Sequence, residues 1–250
     1  MRREIVTSTR NPLLVHLKKL LTSRSYREKC GEFAADGTKL LEEAAKWYPG
    51  LKAVVVQEGV EICALPEHVR VVEVPQSVMR SVSTMEAPQG AIFICAQPEQ
   101  REAALAPGTL LLDGIQDPGN LGTILRTADA LEVPVVLLEG CADAYNPKTV
   151  RASMGAILRT QPVCMAREAA IQSCRARGIR LLAAAMSADA RDLREEPLAD
   201  CAVVIGSEGQ GVSRAVLEGS DGRVIIPMNA RCESLNAAAA EAIVMWQMKR

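Results

Sequence analysis

The chain has 250 residues, a formal net charge of −1 and 48% hydrophobic residues, which is enough for one large domain or two small ones with an ordinary core. Only 3% of the residues are aromatic, so the core must be built from Ala, Val, Leu and Ile. No apolar run is long enough to cross a membrane, and Met1–Ile5 lacks the apolar centre of a signal peptide, which excludes a membrane-spanning protein and favours a soluble, cytoplasmic one.

The first thirty residues are basic although the whole chain is nearly neutral. They carry a net charge of +6, so the rest of the chain carries −7. The basic residues are Arg2, Arg3, Arg10, Lys18, Lys19, Arg24, Arg27 and Lys29, against Glu4 and Glu28. Helical spacing of leucines after the cap Asn11-Pro12 predicts a helix over residues 11–22. Two interpretations stay open: a basic arm that contacts a polyanion such as nucleic acid, and a solvated helix whose leucines pack inward.

The pattern over residues 31–100 predicts a small α/β or α+β domain. Strand-like apolar runs occur at 53–57, 69–74 and 91–96, and a helical pattern follows Asp36-Gly37 and stops at Pro49-Gly50. The polar, proline-broken stretch 97–102 is the most plausible linker, which places the domain boundary near residues 98–108.

The second half alternates strands and helices more regularly. The predicted strands are 109–113, 135–138, 163–166, 180–185, 202–205 and 224–227, and the predicted helices begin at Gly119, near Lys148 and at residue 167. This alternation predicts a mostly parallel sheet covered by helices on both faces.

The eight cysteines are scattered along the chain and never form a Cys-x-x-Cys pair. Several of them, such as Cys95 and Cys201, lie inside apolar runs, which is typical of buried thiols in a reducing compartment. We therefore expect neither a metal site nor a disulfide framework.

Two stretches in the second half combine a strand end with polar residues. In the first, a strand ends at Asp113 and Asn120 is a candidate cap for a helix that carries Arg126, an arrangement that could bind an anion. In the second, Gly206–Gly211, glycines permit close approach of a ligand to the backbone and Glu208 offers a carboxylate. Its pattern, Gly-x-x-Gly-x-Gly, is not the dinucleotide fingerprint, and it lacks the Walker lysine.

The third stretch runs from Ile226-Pro-Met228 to Glu233-Ser-Leu-Asn236, where Ser234 is a candidate N-cap for an alanine-rich helix. Taken singly, each stretch also has an ordinary structural explanation. These are a capped helix with a solvated arginine, a tight turn with an exposed glutamate, and a well-capped terminal helix.

Together the three stretches are more specific. In order along residues 120–236, Asn-x-Gly-x-x-x-Arg, Gly-Ser-Glu-Gly-x-Gly and Ile-Pro-Met … Glu-Ser-Leu-Asn closely resemble the signature motifs of the SpoU (TrmH) family of RNA ribose 2′-O-methyltransferases, part of the SPOUT superfamily. The resemblance extends weakly into residues 31–97, which look like the family's small substrate-binding domain, related to ribosomal RNA-binding proteins. One departure is Asp36-Gly37, where relatives often have Glu-Gly.

The resemblance implies an α/β fold with an RNA-binding domain at 31–100 and a trefoil-knotted, parallel-sheet methyltransferase domain at 107–250. The basic N-terminal helical arm at 1–30, which the charge pattern indicates, precedes them and is a second departure, since its extent varies between family members. The resemblance also implies S-adenosyl-L-methionine (AdoMet) as the cofactor and a homodimer formed through the C-terminal domain. The implied reaction is methyl transfer to a ribose 2′-hydroxyl of structured RNA. Ribosomal RNA is favoured over transfer RNA, because an additional RNA-binding domain and a basic arm suit a large structured substrate.

The resemblance also assigns residues. The cofactor-binding positions are matched by Gly206, Ile226, Met228 and Leu235, and the polar positions around the reacting ribose by Asn120, Arg126, Glu208, Ser234 and Asn236. Methyl transfer to a hydroxyl requires in-line alignment and loss of the hydroxyl proton. Because an arginine is not normally deprotonated in proteins, we expect Arg126 to orient and polarise the hydroxyl while a substrate phosphate or water takes the proton.

Other functional classes fit the sequence less well. A nicotinamide-dependent oxidoreductase would need a dinucleotide fingerprint that is missing. A non-catalytic RNA-binding protein would explain the basic segment but not three motifs in order, and a knotted RNA base methyltransferase would differ only in the methylated atom. His16 and His68 lie outside the three motifs, and we expect no catalytic role for them.

Overall fold

A computed structural model describes residues 4–99, 105–229, 231–232 and 234–250. Glu233 of the third motif and residues 100–104 of the predicted linker and boundary lie outside the described residues. Within the described parts of the chain, no helix is both long and apolar enough to pass through a bilayer.

The strands and helices are numbered in chain order. The strands are β1 (Glu4–Ile5), β2 (Glu32–Asp36), β3 (Leu51–Gln57), β4 (Arg70–Val74), β5 (Ala91–Ala96), β6 (Leu110–Asp113), β7 (Val135–Leu137), β8 (Val163–Cys164), β9 (Arg180–Ala184), β10 (Arg191–Asp192), β11 (Cys201–Gly206) and β12 (Gly222–Ile225). The helices are α1 (Pro12–Thr22), α2 (Arg24–Cys30), α3 (Thr38–Trp47), α4 (Gln76–Val82), α5 (Pro118–Ala130), α6 (Pro147–Ala152), α7 (Ala156–Arg159), α8 (Arg167–Arg177), α9 (Arg214–Gly219) and α10 (Ala237–Met248).

The chain divides into two compact units. Unit 1 comprises Met1–Glu99 and Tyr145–Gln161, and unit 2 comprises Gln100–Ala144 and Pro162–Arg250. Unit 2 therefore differs from the predicted domain at 107–250, since α6 and α7 fall in unit 1.

The segment with α6 and α7 joins unit 1 through contacts between residues far apart in sequence. The ring of Tyr145 lies 4.8 Å from that of the fully buried Phe33 on β2. Arg159 forms an ion pair with Glu43 on α3, and Gly155, at φ 89°, lets the Glu43 side chain approach closely. Neither contact has a local sequence signal, which is why the prediction kept this segment with its sequence neighbours.

Unit 1 is built on a mixed sheet with the strand order β1-β4-β3-β5-β2. β1, β4 and β3 are parallel, whereas β5 runs antiparallel to both β3 and β2. The predicted strands at 53–57, 69–74 and 91–96 are confirmed. β2 was not predicted, because its five residues include two alanines and two acidic residues, types that are depleted in strands.

From residue 4 onward, the basic N-terminal segment is part of the folded core of unit 1, and its predicted basic residues Arg2 and Arg3 lie outside the described residues. The predicted helix and its cap are confirmed, since the Asn11 side chain accepts a hydrogen bond from the backbone nitrogen of Leu13 at 2.9 Å. The leucines that pack into the core are Leu14, Leu17, Leu20 and Leu21. Arg27 is also buried and donates to the Leu20 carbonyl at 2.7 Å, so it is not available to a polyanion. Lys18, Lys19 and Lys29 are exposed and keep a basic outer surface on this segment.

Unit 2 contains the predicted parallel sheet, and its described strands follow the order β10-β12-β9-β11-β6-β7-β8. All of the pairs are parallel. β11 is completely buried near the middle of the sheet, as expected for a continuous apolar run. Because parallel strands end at the same edge, the residues that follow β6, β9, β11 and β12 meet there. α10 packs against α5, which begins at this edge.

The structure corrects two predicted helix caps. α5 begins at Pro118, and its cap is Asp117, whose side chain accepts from the Asn120 backbone nitrogen at 2.8 Å. α10 is capped by Asn236, which accepts from the backbone nitrogen of Ala239 at 3.4 Å, and not by Ser234. Each helix start contains two residues that can act as caps, Asp117 and Asn120 for α5 and Ser234 and Asn236 for α10. The register in which the helix packs selects between them.

Candidate active site

A pocket of about 160 Å³ opens at the carboxyl edge of the sheet in unit 2. It is formed by the ends of β9, β11 and β12, by the segment that follows β12, and by α10. Its lining residues are Ala184, Ala185, Met186, Ile205, Val224, Ile225, Ile226, Met228, Ser234, Leu235, Ala240 and Val244. Apart from the hydroxyl of Ser234, all of these side chains are apolar. The pocket is therefore suited to a ligand with a substantial apolar part, oriented by backbone groups.

Four residues predicted from the motifs lie in the wall of this pocket. Ile226, Met228 and Leu235 were predicted to hold a cofactor, and Ser234 was predicted near the reacting group. Gly206 directly follows the lining residue Ile205 at the end of β11. The third motif and the end of β11 thus meet at one cavity although about thirty residues separate them.

Gly206 is placed where no side chain fits. A β-carbon at this position would lie 1.9 Å from the carbonyl carbon of Gly211 and 2.1 Å from the backbone nitrogen of Val212. The loop folds back on itself through a hydrogen bond from the Gly211 nitrogen to the Ser207 carbonyl, 2.9 Å long. The glycine in the second motif is therefore required by close approach of the chain to itself.

Three of the predicted polar residues form a chain of hydrogen bonds. The Asn120 side-chain amide donates to the carboxylate of Glu208, and the Asn236 amide donates to the Asn120 carbonyl oxygen at 3.2 Å. They come from the first turn of α5, the loop after β11 and the cap of α10. Side chains of the three motifs are thus joined by hydrogen bonds.

Arg126 stands apart from this hydrogen-bonded chain. It is exposed on α5, and among the described residues it has neither a hydrogen bond nor an ion pair. Six helical positions separate it from Asn120, which places the two side chains about 120° apart around the helix axis. Its guanidinium is therefore available to an anion from solution.

Two residues near this edge were not predicted. Asp113 is buried at the end of β6 and accepts from Arg167 Nε and from the backbone nitrogen of Ser213, each at 2.8 Å. It thereby fixes the chain just beyond the Gly206–Gly211 loop. A single acid that ends an apolar run was the available signal for this role.

Glu241 is the second residue that the sequence did not single out. It lies on the buried side of α10, and neither carboxyl oxygen has a hydrogen-bond partner among the described residues. Burial raises the pKa of Glu241 well above its ordinary value, and the nearby charge of Glu208 raises it further. The sequence signal was an acid within an alanine-rich helix.

Among the described residues, no three His, Cys, Asp or Glu side chains are grouped in a way that could hold a metal ion. His16 and His68 both belong to unit 1. The features that the structure does show at this edge are an apolar pocket, a chain of hydrogen-bonding side chains and an available arginine.

Comparison with known proteins gives two matching family descriptions. The SpoU rRNA Methylase family matches residues 107–246, and the MRM3-like substrate binding domain matches residues 11–92. The second match includes α1 and so begins before residue 31, where the prediction placed the start of the RNA-binding domain.

Individual relatives match over nearly the whole chain. The 23S rRNA (guanosine(2553)-2′-O)-methyltransferase RlmP of Bacillus subtilis is 34% identical, over 98% of both chains. An uncharacterised tRNA/rRNA methyltransferase of Synechocystis sp. is 30% identical over 98% of this chain and 93% of its own. The crystal structure of an AdoMet-bound rRNA methyltransferase from Sinorhizobium meliloti matches with a TM-score of 0.86 and 27% identity, covering 98% of this chain and 97% of that one.

Proposed function

The chain belongs to the SpoU rRNA methylase family, and from this premise we propose that it transfers a methyl group from AdoMet to a ribose 2′-hydroxyl of ribosomal RNA. The observation that carries the proposal is the meeting of all three motifs at one edge, where an apolar pocket adjoins the Asn120–Glu208–Asn236 chain. A relative that is similar over the full length, RlmP, is named as acting on 23S rRNA.

The residues at the pocket fit AdoMet. Apolar walls suit the adenine ring. Ile226, Met228 and Leu235 line the pocket, and Gly206 directly follows the lining residue Ile205. The cofactor supplies an electrophilic methyl group on its sulfonium. We assign to Gly206 and to Ile226, Met228 and Leu235 the binding of AdoMet and the exclusion of water from it.

The polar residues of the site are assigned to binding the RNA substrate. Arg126 binds the phosphate next to the reacting nucleotide and directs the 2′-hydroxyl toward the pocket. Asn120, Glu208 and Asn236 hold the ribose through the hydrogen bonds that their chain leaves open, and Ser234 presents its hydroxyl in the pocket wall. The hydroxyl proton passes to a substrate phosphate or to water.

Unit 1 is assigned to RNA binding. Its match to a substrate binding domain and the exposed lysines of α1 and α2 support this role, since basic surfaces attract phosphate backbones. The basic segment 1–30 acts as part of this unit. We place the reaction in the cytoplasm, where ribosomal RNA and AdoMet occur together.

A trefoil knot in unit 2 is also part of the proposal. The chain leaves β12 near one side of the sheet and returns in α10 to pack on α5, which follows the more distant β6. To do so, it passes the carboxyl ends of β9 and β11, where Ala240 and Val244 of α10 line the pocket. This return across the sheet is what a knotted C-terminal segment requires.

We further propose that the protein is a homodimer through the C-terminal domain. Ile243 and Trp246 lie on one face of α10 and are 43% and 63% exposed, an apolar face that a second copy would cover.

Trp246→Ala should weaken the dimer by about 2 kcal/mol or more, the effect of losing a tryptophan that dominates an interface. Sedimentation over a range of concentrations measures this. Trp47→Ala, at the 51% exposed tryptophan of unit 1, is the control and should leave the dimer intact; a wild type that is monomeric throughout contradicts the proposal.

The reaction itself is tested with labelled AdoMet, the purified protein and separate pools of undermodified ribosomal and transfer RNA. Nuclease digestion and mass spectrometry should find a 2′-O-methylnucleoside from the ribosomal pool. A methylated base would instead identify a knotted base methyltransferase. Absence of both methylation and AdoMet binding would leave a non-catalytic RNA-binding protein.

A further inference from the structure

Glu241 is a buried carboxyl group that the proposed reaction leaves without a role. Its side chain is fully enclosed, and neither of its oxygens meets a donor among the described residues. An ionised carboxylate in such a place costs several kcal/mol, whereas the protonated form costs much less. The folded protein therefore holds Glu241 as a neutral acid over a wide range of pH.

Glu241 lies on α10, which packs on α5, and the starts of these two helices hold the Asn236–Asn120–Glu208 chain. At this place the nearby negative charge of Glu208 adds to burial in raising the pKa of Glu241. The interaction is mutual, so an ionised Glu241 would repel Glu208 as strongly as Glu208 repels it. The other charged residues on the two packed helices are Arg126 and Asp129 of α5 and Lys249 and Arg250 at the end of α10. None of these four is among the groups that shift the titration of Glu241.

Glu208 is poorly held against such repulsion. It lies exposed in the loop after β11, where the side-chain amide of Asn120 donates a hydrogen bond to it. Asn120 in turn receives the amide of Asn236, so a displaced Glu208 would change the orientation of both amides.

We propose that Glu241 is a positioning residue for methyl transfer, whose uncharged side chain allows Glu208 to remain on Asn120 and whose ionisation breaks this hydrogen-bonded chain. The proposal rests on the proposed function for its readout in activity. It predicts that the enzyme loses activity at alkaline pH through a group that touches neither substrate nor cofactor.

The main test compares the wild type with Glu241→Gln, which keeps the shape and remains neutral at every pH. The two proteins should have similar kcat on ribosomal RNA in mildly acidic solution, and the ratio of variant to wild type should then rise by about tenfold per pH unit above the pKa of Glu241 in the folded protein. Glu218→Gln, at an exposed carboxylate of α9, is the control and should follow the wild-type profile. Superimposable profiles for Glu241→Gln and the wild type would overturn the proposal.

A double variant tests whether Glu241 acts on catalysis through the charge of Glu208. In a Glu208→Gln background the repelling charge is absent, so Glu241→Gln should no longer change the alkaline limb of the remaining activity. If the limb still moves by the full amount, Glu241 acts without Glu208 and the proposal fails. AdoMet affinity, measured by calorimetry at neutral pH, should be the same in wild type and Glu241→Gln.

Stability provides a readout that does not depend on activity. Because the folded protein keeps the Glu241 proton more tightly than the unfolded chain, the wild type loses stability as pH rises above the ordinary carboxyl pKa of 4.5. The unfolding midpoint of Glu241→Gln relative to wild type should therefore increase from pH 5 to pH 9. An active wild type with no such increase refutes the proposal about Glu241, whereas an inactive wild type with this increase refutes the proposed function alone.

Should Glu241→Gln fail to fold, Glu241→Met takes its place in both tests, because it is also neutral and of similar length.

Discussion

Replacing Arg126 by alanine is expected to lower kcat for RNA methylation by about 100- to 1,000-fold, the usual cost of losing one preorganised charged donor at a reacting group. The AdoMet dissociation constant should stay within about twofold of wild type, because Arg126 is exposed on α5 and is not part of the pocket wall. The helix should also stay folded, since Arg126 has no hydrogen bond or ion pair to lose among the described residues.

The measurement is single-turnover methylation of ribosomal RNA together with calorimetry of AdoMet binding. Arg175→Ala is a matched control, because Arg175 is an exposed arginine in the last turn of another helix of unit 2. Arg126→Lys keeps the charge but not the planar fork of donors, so we expect only partial recovery. If Arg126→Ala binds AdoMet much more weakly, the residue belongs to the cofactor site and the role proposed here is wrong.

Gly206→Ala should have the second large effect, a loss of AdoMet affinity together with reduced stability. A β-carbon at this position would lie about 2 Å from backbone atoms of Gly211 and Val212, which are not free to move as a side chain would be. The loop must open, at a cost of about 1–3 kcal/mol or more in folding free energy. Because the loop adjoins the pocket at Ile205, we expect AdoMet binding to weaken by about tenfold or more, equivalent to 1.4 kcal/mol.

Gly209→Ala provides the comparison within the same loop. A β-carbon at Gly209 meets no atom within 4 Å, so this variant should keep the affinity and the unfolding midpoint of the wild type. Calorimetry measures the AdoMet affinity of both variants, and urea unfolding measures their stability. Equal effects of the two substitutions would mean that glycine is needed here for flexibility rather than for close approach.

Some elements of the fold could be predicted from local sequence patterns, and others depend on contacts between distant segments. Strands β3, β5, β6 and β11 were predicted because an apolar run bounded by turn residues is a local signal. The short elements α7, β1 and β10 were not predicted, because two to four residues carry too little periodicity. The caps of α5 and α10 were misplaced, since the choice between neighbouring capping residues depends on how the helix packs.

The site shows the same division. The sequence identified the residues of the three motifs, and the structure places Ile226, Met228, Ser234 and Leu235 at one pocket. The hydrogen bond from Asn120 to Glu208 spans 88 positions and that from Asn236 to Asn120 spans 116, so no local pattern could have predicted either. Placing Arg126 outside this chain likewise required the register of α5.

The parallel α/β character of unit 2, most of its longer strands and helices, and the residues of the three motifs could be predicted from the amino-acid sequence. These predictions follow from local periodicity, turn chemistry and resemblance. Three other features required the folded chain: residues 145–161 pack with unit 1, Asp113 fixes the chain beyond the glycine loop, and Glu241 is enclosed without a partner among the described residues. The reason is that burial and side-chain pairing depend on which distant segments meet, and the pairing of strands across the sheet settles that question.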